Sequence, residues 1–171
     1  PTGIARFALL EKVSRLLSGA KTQLNKEEEN EYKKVVERID KICAAAYYAN
    51  MRVMIDAEES WIQDAIDSAV EDMMKKYNRE KAVVLNTIQL YRHDRLKYLK
   101  ATVDNALNEN WFPGFKIVRG AYMEKERERA EKMNYPSPIH KTKTDADRDY
   151  NHALDFCLEH FPKVAIFAGT H

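Results

Sequence analysis

Four short apolar runs, each turning polar or glycine-containing at its end, constrain this chain more than any other feature. They are Arg52-Val-Met-Ile-Asp-Ala-Glu-Glu59, Ala82-Val-Val-Leu-Asn-Thr-Ile-Gln89, Phe115-Lys-Ile-Val-Arg-Gly-Ala-Tyr122 and Val164-Ala-Ile-Phe-Ala-Gly-Thr-His171. A strand covered on both faces reads as a continuous apolar run, whereas a strand with one wet face alternates. Such runs, separated by helix-patterned sequence with no hairpin signal, predict right-handed βα units and a parallel sheet. Folds of this class collect their chemistry at the carboxyl ends of the strands. The four run ends are therefore expected to converge on one pocket.

The intervening sequence is helical by period. Phe7, Leu10, Val13 and Leu17 predict a short amphipathic helix over Arg6 to Leu17, broken by Ser18-Gly-Ala-Lys-Thr. Asn25 and Glu28 form a capping-box start for a long helix, with acids near its positive dipole end. Its stripe runs through Tyr32, Val35, Val36, Ile39, Ile42, Cys43, Ala46 and Tyr47, and it ends near Asn50. Ser60, with Gln63 in the reciprocal position, is read as the cap of the next helix, which stops at Asn78. A helix from about Asp94 to Asn108 is expected to bury Leu96, Leu99, Val103, Ala106 and Leu107. After Tyr122, the run Glu124-Lys-Glu-Arg-Glu-Arg-Ala reads as a solvated helical face. Tyr135-Pro-Ser-Pro then interrupts it, and so long an insertion after a strand points to a functional loop. Helical pattern resumes from Asp147 to His160.

Two architectures satisfy this order, an open doubly wound sheet and an arc of a (β/α)8 barrel. A dinucleotide fold wants Gly-x-Gly-x-x-Gly after its first strand, but Asp-Ala-Glu-Glu-Ser follows here and the chain has only five glycines. The barrel reading is favoured: an α/β fold, a partial (β/α)8 TIM barrel of about four parallel strands with covering helices. Residues 5–50 are its N-terminal helices and 52–171 its βα units. With Pro1 at one end and a strand-like run at the other, residues 1–171 read as a single fragment of a larger barrel domain. Its two unpaired sheet edges would favour self-association.

Composition narrows the function classes. At 44% hydrophobic and 32% charged residues, the chain has the balance of a globular domain rather than a disordered one. A formal net charge of +1 gives no field to gather nucleic acid, so no nucleic-acid partner is expected. No apolar run approaches the ~20 residues of a membrane-spanning helix. Cys43 and Cys157 sit on apolar helix faces and read as buried thiols of a reducing compartment. The five histidines show no ligand spacing, so no metal site is expected. There is no Gly-x-Ser-x-Gly elbow either.

The run ends supply Asp56, Glu58 and Glu59, then Gln89 and Tyr91, then Lys116, Arg119 and Tyr122, then Thr170 and His171. An acid, an amide, cations and a phenol on adjacent strand ends suit a planar polar cofactor with a small charged substrate. Strand periodicity puts Lys116, Val118 and Gly120 on one side and Ile117, Arg119 and Ala121 on the other. One of the two cations therefore faces the interior and needs a partner, and Asp56 is the available one. Each of these residues also has a plainer reading: a helix cap for Asp56, or an ion pair of Lys116 or Arg119 with Glu58.

At Val53-Met-Ile-Asp-Ala-Glu-Glu-Ser, Val118-Arg-Gly-Ala-Tyr-Met-Glu-Lys-Glu-Arg and Phe167-Ala-Gly-Thr-His the chain resembles proline dehydrogenase, most like the bacterial single-function form. That family is an FAD-dependent (β/α)8 oxidoreductase of proline catabolism, and the likeness runs along essentially the whole chain. It implies hydride transfer from L-proline to flavin N5, yielding Δ1-pyrroline-5-carboxylate, with a quinone as electron acceptor. It implies Asp56 and Lys116 as catalytic groups, Lys116 standing where many relatives carry arginine. Ala57, Gln89, Arg119, Gly120, Ala121, Thr170 and His171 would contact FAD, and Tyr122 would pack on the proline ring. A cytoplasmic setting is implied, with peripheral contact at the inner membrane for the parent protein.

The resemblance also implies parts outside these residues: a lysine on the preceding strand and paired arginines on the last barrel helix. The 171-residue piece alone is accordingly expected to be inactive. Two rival readings remain open at the level of sequence. One is a barrel hydrolase using the carboxylates of Asp56 and Glu58 or Glu59. The other is a non-enzymatic α/β module that assembles through its edges.

Overall fold

The structure, a computed structural model, describes residues 5–169. Helices α1 (Phe7–Leu17) and α2 (Lys26–Tyr48) precede strand β1 (Val53–Ile55). Then α3 (Ser60–Tyr77), β2 (Val84–Gln89), α4 (Arg95–Glu109), β3 (Gly114–Val118), α5 (Met123–Lys132), α6 (Lys143–Glu159) and β4 (Ala165–Ala168) follow. The strands form one parallel sheet in sequence order, β1-β2-β3-β4. Four adjacent parallel strands with helices returning over one face are an arc of a TIM-barrel-like fold.

Asn25 starts α2 as its sequence predicts: the Glu28 N–H donates to Asn25 Oδ1 at 2.9 Å, and Asn25 N–H donates to Glu28 Oε2 at 2.8 Å. Satisfying two of the orphan donors of a helix start in this way is worth about 1 kcal/mol. Asn78, the anticipated stop of α3, does more than end a helix. Fully buried, it accepts from the N–H groups of Val83 and Val84 and donates to the carbonyls of Val84 and Phe112. One side chain thus ties the end of α3 to the start of β2 and to the turn that delivers β3.

The outer face of β2 and β3 presents Ile88, Phe115 and Ile117 to Leu99 and Val103 of α4 and to Tyr150, Ala153 and Cys157 of α6. A second cluster joins Cys43 of α2, Val70 and Met74 of α3, Val84 and Trp111. Burial pushes the Cys43 thiol up to about 11 and that of Cys157 up to about 12, so both stay protonated and inert at neutral pH. No helix among the described residues is long and apolar enough to cross a membrane.

Several expectations need correction. Ile42, Tyr47 and Leu107 lie on predicted apolar stripes yet are 50%, 41% and 42% exposed. The stripes are wider than the surface each helix has to lean on, and α2 lies beside β1, an edge strand. Helix α6 begins at Lys143 rather than Asp147, because Thr142 caps it by accepting the Asp145 N–H at 3.1 Å. Ser60 does not cap α3 with its own hydroxyl. The N-cap is Glu59, whose side chain makes no capping bond, and the Ser60 hydroxyl donates instead to Glu126. Gln63 does reach back, accepting the Glu58 N–H at 2.8 Å. The charge run is not wholly solvated either, since Glu126 is fully buried. Charged sequence gives no sign of which single residue a tertiary neighbour will enclose.

Candidate functional site

The parallel register fixes which side chains share the inner face. Thr87 lies opposite Lys116, which in turn lies opposite Phe167, and Gln89 lies opposite Val118. Ile88 and Ile117 point outward into the helix layer, so Thr87, Gln89, Lys116 and Val118 point the other way. With the β1–α3 turn and the β3–α5 connection they enclose a hollow of about 430 Å³. Asp56, Ala57 and Glu58 line it from the first strand end, and Arg119 to Tyr122 from the third. Thr170 and His171 lie outside the described residues, and Gly169 is the described contribution of the last strand.

Lys116 is the cation that faces inward. Its Nζ meets Asp56 Oδ1 at 2.6 Å, across two strands, with the lysine side chain 25% and the carboxylate 67% exposed. Thr87 donates to the same oxygen at 3.3 Å, which holds the carboxylate above β2. Arg119 takes another course. Its guanidinium lies 4.6 Å over the Tyr150 ring and its Nε donates to Asp147 Oδ1 at 2.5 Å. Lys143 and Arg119 together hold the Asp147 carboxyl below the usual range, Lys143 having the larger influence. Neither cation pairs with Glu58.

Glu58 instead accepts the Tyr122 hydroxyl at 2.7 Å. That bond, followed by burial, pushes the phenol up to about 12, so Tyr122 is a donor at neutral pH. Beneath the hollow, Tyr91 is 4% exposed and its ring lies against Gly120. Gly120 has φ +136°, and a Cβ there would stand 2.3 Å from the ring. Only glycine fits, leaving bare backbone at the rim. Gln89 is 3% exposed, and its Oε1 has no hydrogen-bond partner among the described residues. A buried amide oxygen without a donor is costly unless something arrives to supply one.

The structure therefore brings Asp56, Ala57, Gln89, Lys116, Arg119, Gly120, Ala121 and Tyr122 to one place. Sequence reasoning missed Thr87, although it lies two residues before Gln89 on the same face. It also offered Glu58 only Lys116 or Arg119 as a partner, where the structure gives it Tyr122, and left Glu126 in solvent. No group of three or more His, Cys, Asp or Glu among the described residues is placed to hold a metal.

Residues 5–171 match the proline dehydrogenase family. The chain is 35% identical over 170 residues to mitochondrial proline dehydrogenase 1 of Drosophila melanogaster, covering 94% of this chain and 24% of that protein. It is 32% identical over 171 residues to the carbapenem antibiotics biosynthesis protein CarD of Pectobacterium carotovorum, covering 100% of this chain and 43% of that one. Among solved structures, proline utilization A from Bdellovibrio bacteriovorus superposes with a TM-score of 0.77 at 19% identity, covering 84% of this chain and 15% of that one. The chain thus spans less than half the length of these relatives. With residues 5–171 matched by the family and 94% of the chain aligned at 35% identity to one relative, the chain belongs to the proline dehydrogenase family.

Proposed function

We propose that the protein containing this chain oxidises L-proline to Δ1-pyrroline-5-carboxylate with FAD bound in the hollow at the strand ends. Residues 5–50 are then the N-terminal helices, and 52–171 the βα units, of a fragment of one larger barrel domain. The observation that carries the reading is the meeting of the Asp56–Lys116 ion pair with the unpartnered Gln89 Oε1 in one hollow. The residues present suit a flavin. Gln89 offers a buried acceptor to a ring N–H, and Gly120 offers backbone where a side chain cannot stand. Gly169 does likewise, for a Cβ there would come within 2.8 Å of Val118 Cγ1. A hollow of about 430 Å³ lies in the size range of cofactor and small-molecule sites.

FAD, when bound, supplies the two-electron acceptor for the hydride that leaves the carbon beside the proline nitrogen. The chain supplies position and field. Asp56 holds the Lys116 ammonium in place at 2.6 Å, which keeps a positive charge at the inner face. Ala57 adds little bulk beside it. Arg119, steadied by Asp147 and Tyr150, gives a planar cation suited to phosphate oxygens. Gly120 and Ala121 contribute the rim, and Thr170 and His171 are proposed cofactor contacts. Tyr122, its hydroxyl tied to Glu58, presents a ring face to the pyrrolidine ring. The carboxylates of Asp56 and Glu58 attract the substrate ammonium.

A quinone is the proposed final acceptor, in a cytoplasmic protein with peripheral membrane contact and self-association through the sheet edges. The test is the visible spectrum and proline oxidation of the full-length protein, followed with an artificial quinone. A yellow protein bleached by L-proline is expected. A colourless protein that transfers no electrons from proline would overturn the reading, and hydrolytic activity lost with Asp56 would favour the carboxylate alternative.

A further inference from the structure

The first residues of α5 bind the β1–α3 turn in step. Tyr122 donates to Glu58 Oε2 at 2.7 Å, Lys125 pairs with Glu59, and Glu126 takes Ser60 with both oxygens. Glu126 Oε1 accepts the Ser60 N–H at 2.5 Å, and its Oε2 accepts the Ser60 hydroxyl at 2.6 Å. Positions i, i+3 and i+4 share one face of a helix, which is why the N-cap Tyr122 and two residues of α5 meet the consecutive Glu58, Glu59 and Ser60. Trp61 continues the contact, lying 4.2 Å beneath the Arg129 guanidinium, and Arg129 is anchored to Glu11 of α1 at 2.6 Å.

Glu126 stands out in this series. It is 0% exposed, a carboxylate buried on a helix otherwise rich in solvated charge. Its bonds go to the first residue of α3, a helix whose N-cap side chain makes no capping bond. The acid that satisfies one free backbone donor of that helix start thus comes from 66 residues away. Just before Ser60 come Asp56, Ala57 and Glu58, all lining the hollow. The Asp56 carboxylate is 67% exposed, and the turn that carries it is held on one side by Lys116 and Thr87 and on the other by Gln63 and the contacts from α5.

Resting on the proline oxidation reading, we propose that Glu126 is a positioning residue: it clamps the start of α3 so that Asp56 meets Lys116 and Ala57 borders the cofactor. Substrate does not touch it. Loss of the clamp lets the turn drift, and misplacement by ~1 Å at a reacting centre costs ~100-fold. The effect should fall on kcat, with ground-state proline binding less disturbed.

The test uses the full-length holoprotein, with activity counted per bound flavin. Glu126→Ala is expected to lower kcat by ~30-fold or more with KM for proline changed less than ~3-fold. Glu126→Gln can still accept the Ser60 N–H and donate to its hydroxyl, and it should return kcat to within ~3-fold of the parent. Ser60→Ala removes one of the two bonds with less risk to folding and should lower kcat ~3- to 10-fold. Hydrogen exchange of the cofactor-free protein should be faster across residues 53–60 in Glu126→Ala and normal in Glu126→Gln.

A fall in melting temperature with kcat per flavin unchanged would overturn the proposal. So would failure of Glu126→Gln to rescue, or an unchanged Ser60→Ala if Glu126→Ala does not fold. If the parent protein neither holds flavin nor oxidises proline, the reading of the site fails, and the exchange data alone decide whether Glu126 orders the turn.

Discussion

The two faces of β2 carry polar side chains of the same kinds to opposite ends. On the outer face, fully buried Asn86 donates to Asp67 at 2.9 Å and to the Tyr98 oxygen at 3.2 Å. Asp67 also receives Gln63 at 2.9 Å and Arg95 at 2.6 Å, while Tyr98 donates to Glu71 at 2.6 Å. That network closes on itself between α3 and α4, and only Asn86 Oδ1 within it lacks a partner. On the inner face, one residue further along, Thr87 and Gln89 border a hollow. There Asp56 is largely exposed and the buried Gln89 oxygen has no partner among the described residues. Polar residues in a strand do not by themselves mark a site. Each set keeps one unpartnered amide oxygen, and what separates them is surroundings: the outer set is enclosed between two helices, while the inner set borders a hollow.

The sharpest test of this contrast is Arg95→Ala. Arg95 and Asp67 have side chains 3% and 7% exposed, so removing the guanidinium strands a buried carboxylate. A loss of about 3–5 kcal/mol is expected in denaturant unfolding, with no change in flavin affinity among molecules that remain folded. A loss in flavin affinity at unaltered stability would erase the distinction between the faces. The next effect in size belongs to Gly120→Ala. Its backbone, at φ +136°, and the Tyr91 ring at 2.3 Å both oppose a methyl group. Strain alone costs about 1–3 kcal/mol, and here the flavin should be lost as well, read by the dialysed protein's absorbance.

Gln89→Leu should behave in the opposite sense to Arg95→Ala. Without cofactor the orphaned oxygen is a liability, so its removal should leave the unfolding midpoint unchanged or slightly higher. With cofactor, the loss of one acceptor should weaken flavin binding ~5-fold, about 1 kcal/mol. Titration calorimetry on the cofactor-free protein reads both the affinity and its direction. Equal destabilisation with and without flavin would mean that Gln89 belongs to the scaffold.

The inner set was legible in sequence because Asp56, Gln89 and Tyr122 stand at the ends of apolar runs, and Lys116 is the one charge inside its own, Phe115 to Val118. The outer network was not, because Asp67 and Arg95 sit in helical stretches where charge usually means solvent. Their enclosure depends on how α3 and α4 cross over β2, which no local pattern encodes. Glu126 was hidden for the same reason, with the spacing Tyr122, Glu126, Ala130 as its only trace: Glu126 and Ala130 are both buried within a charged run. The capping box of α2 was readable because its two partners lie three residues apart.

The smallest effect separates the faces by titration. Tyr122 holds its proton up to about 12, chiefly through the bond to Glu58. A folded-state pKa raised above the ordinary 10.0 adds stability that is complete below pH 10 and lost as pH rises through about 12. Difference absorbance between the parent and Tyr122→Phe should show one phenol ionising in that window. In Glu58→Gln the charge is gone, the hydroxyl keeps an acceptor, and the phenol should ionise closer to 10. Tyr98 offers the internal control. Burial first, and then the nearby Asp67 and Glu71, raise its pKa as well, but on the closed outer face, so Glu58→Gln should leave it unmoved. If both tyrosines shift together, the two faces of β2 communicate, and the inner hollow is not electrostatically separate from the network that holds the helices.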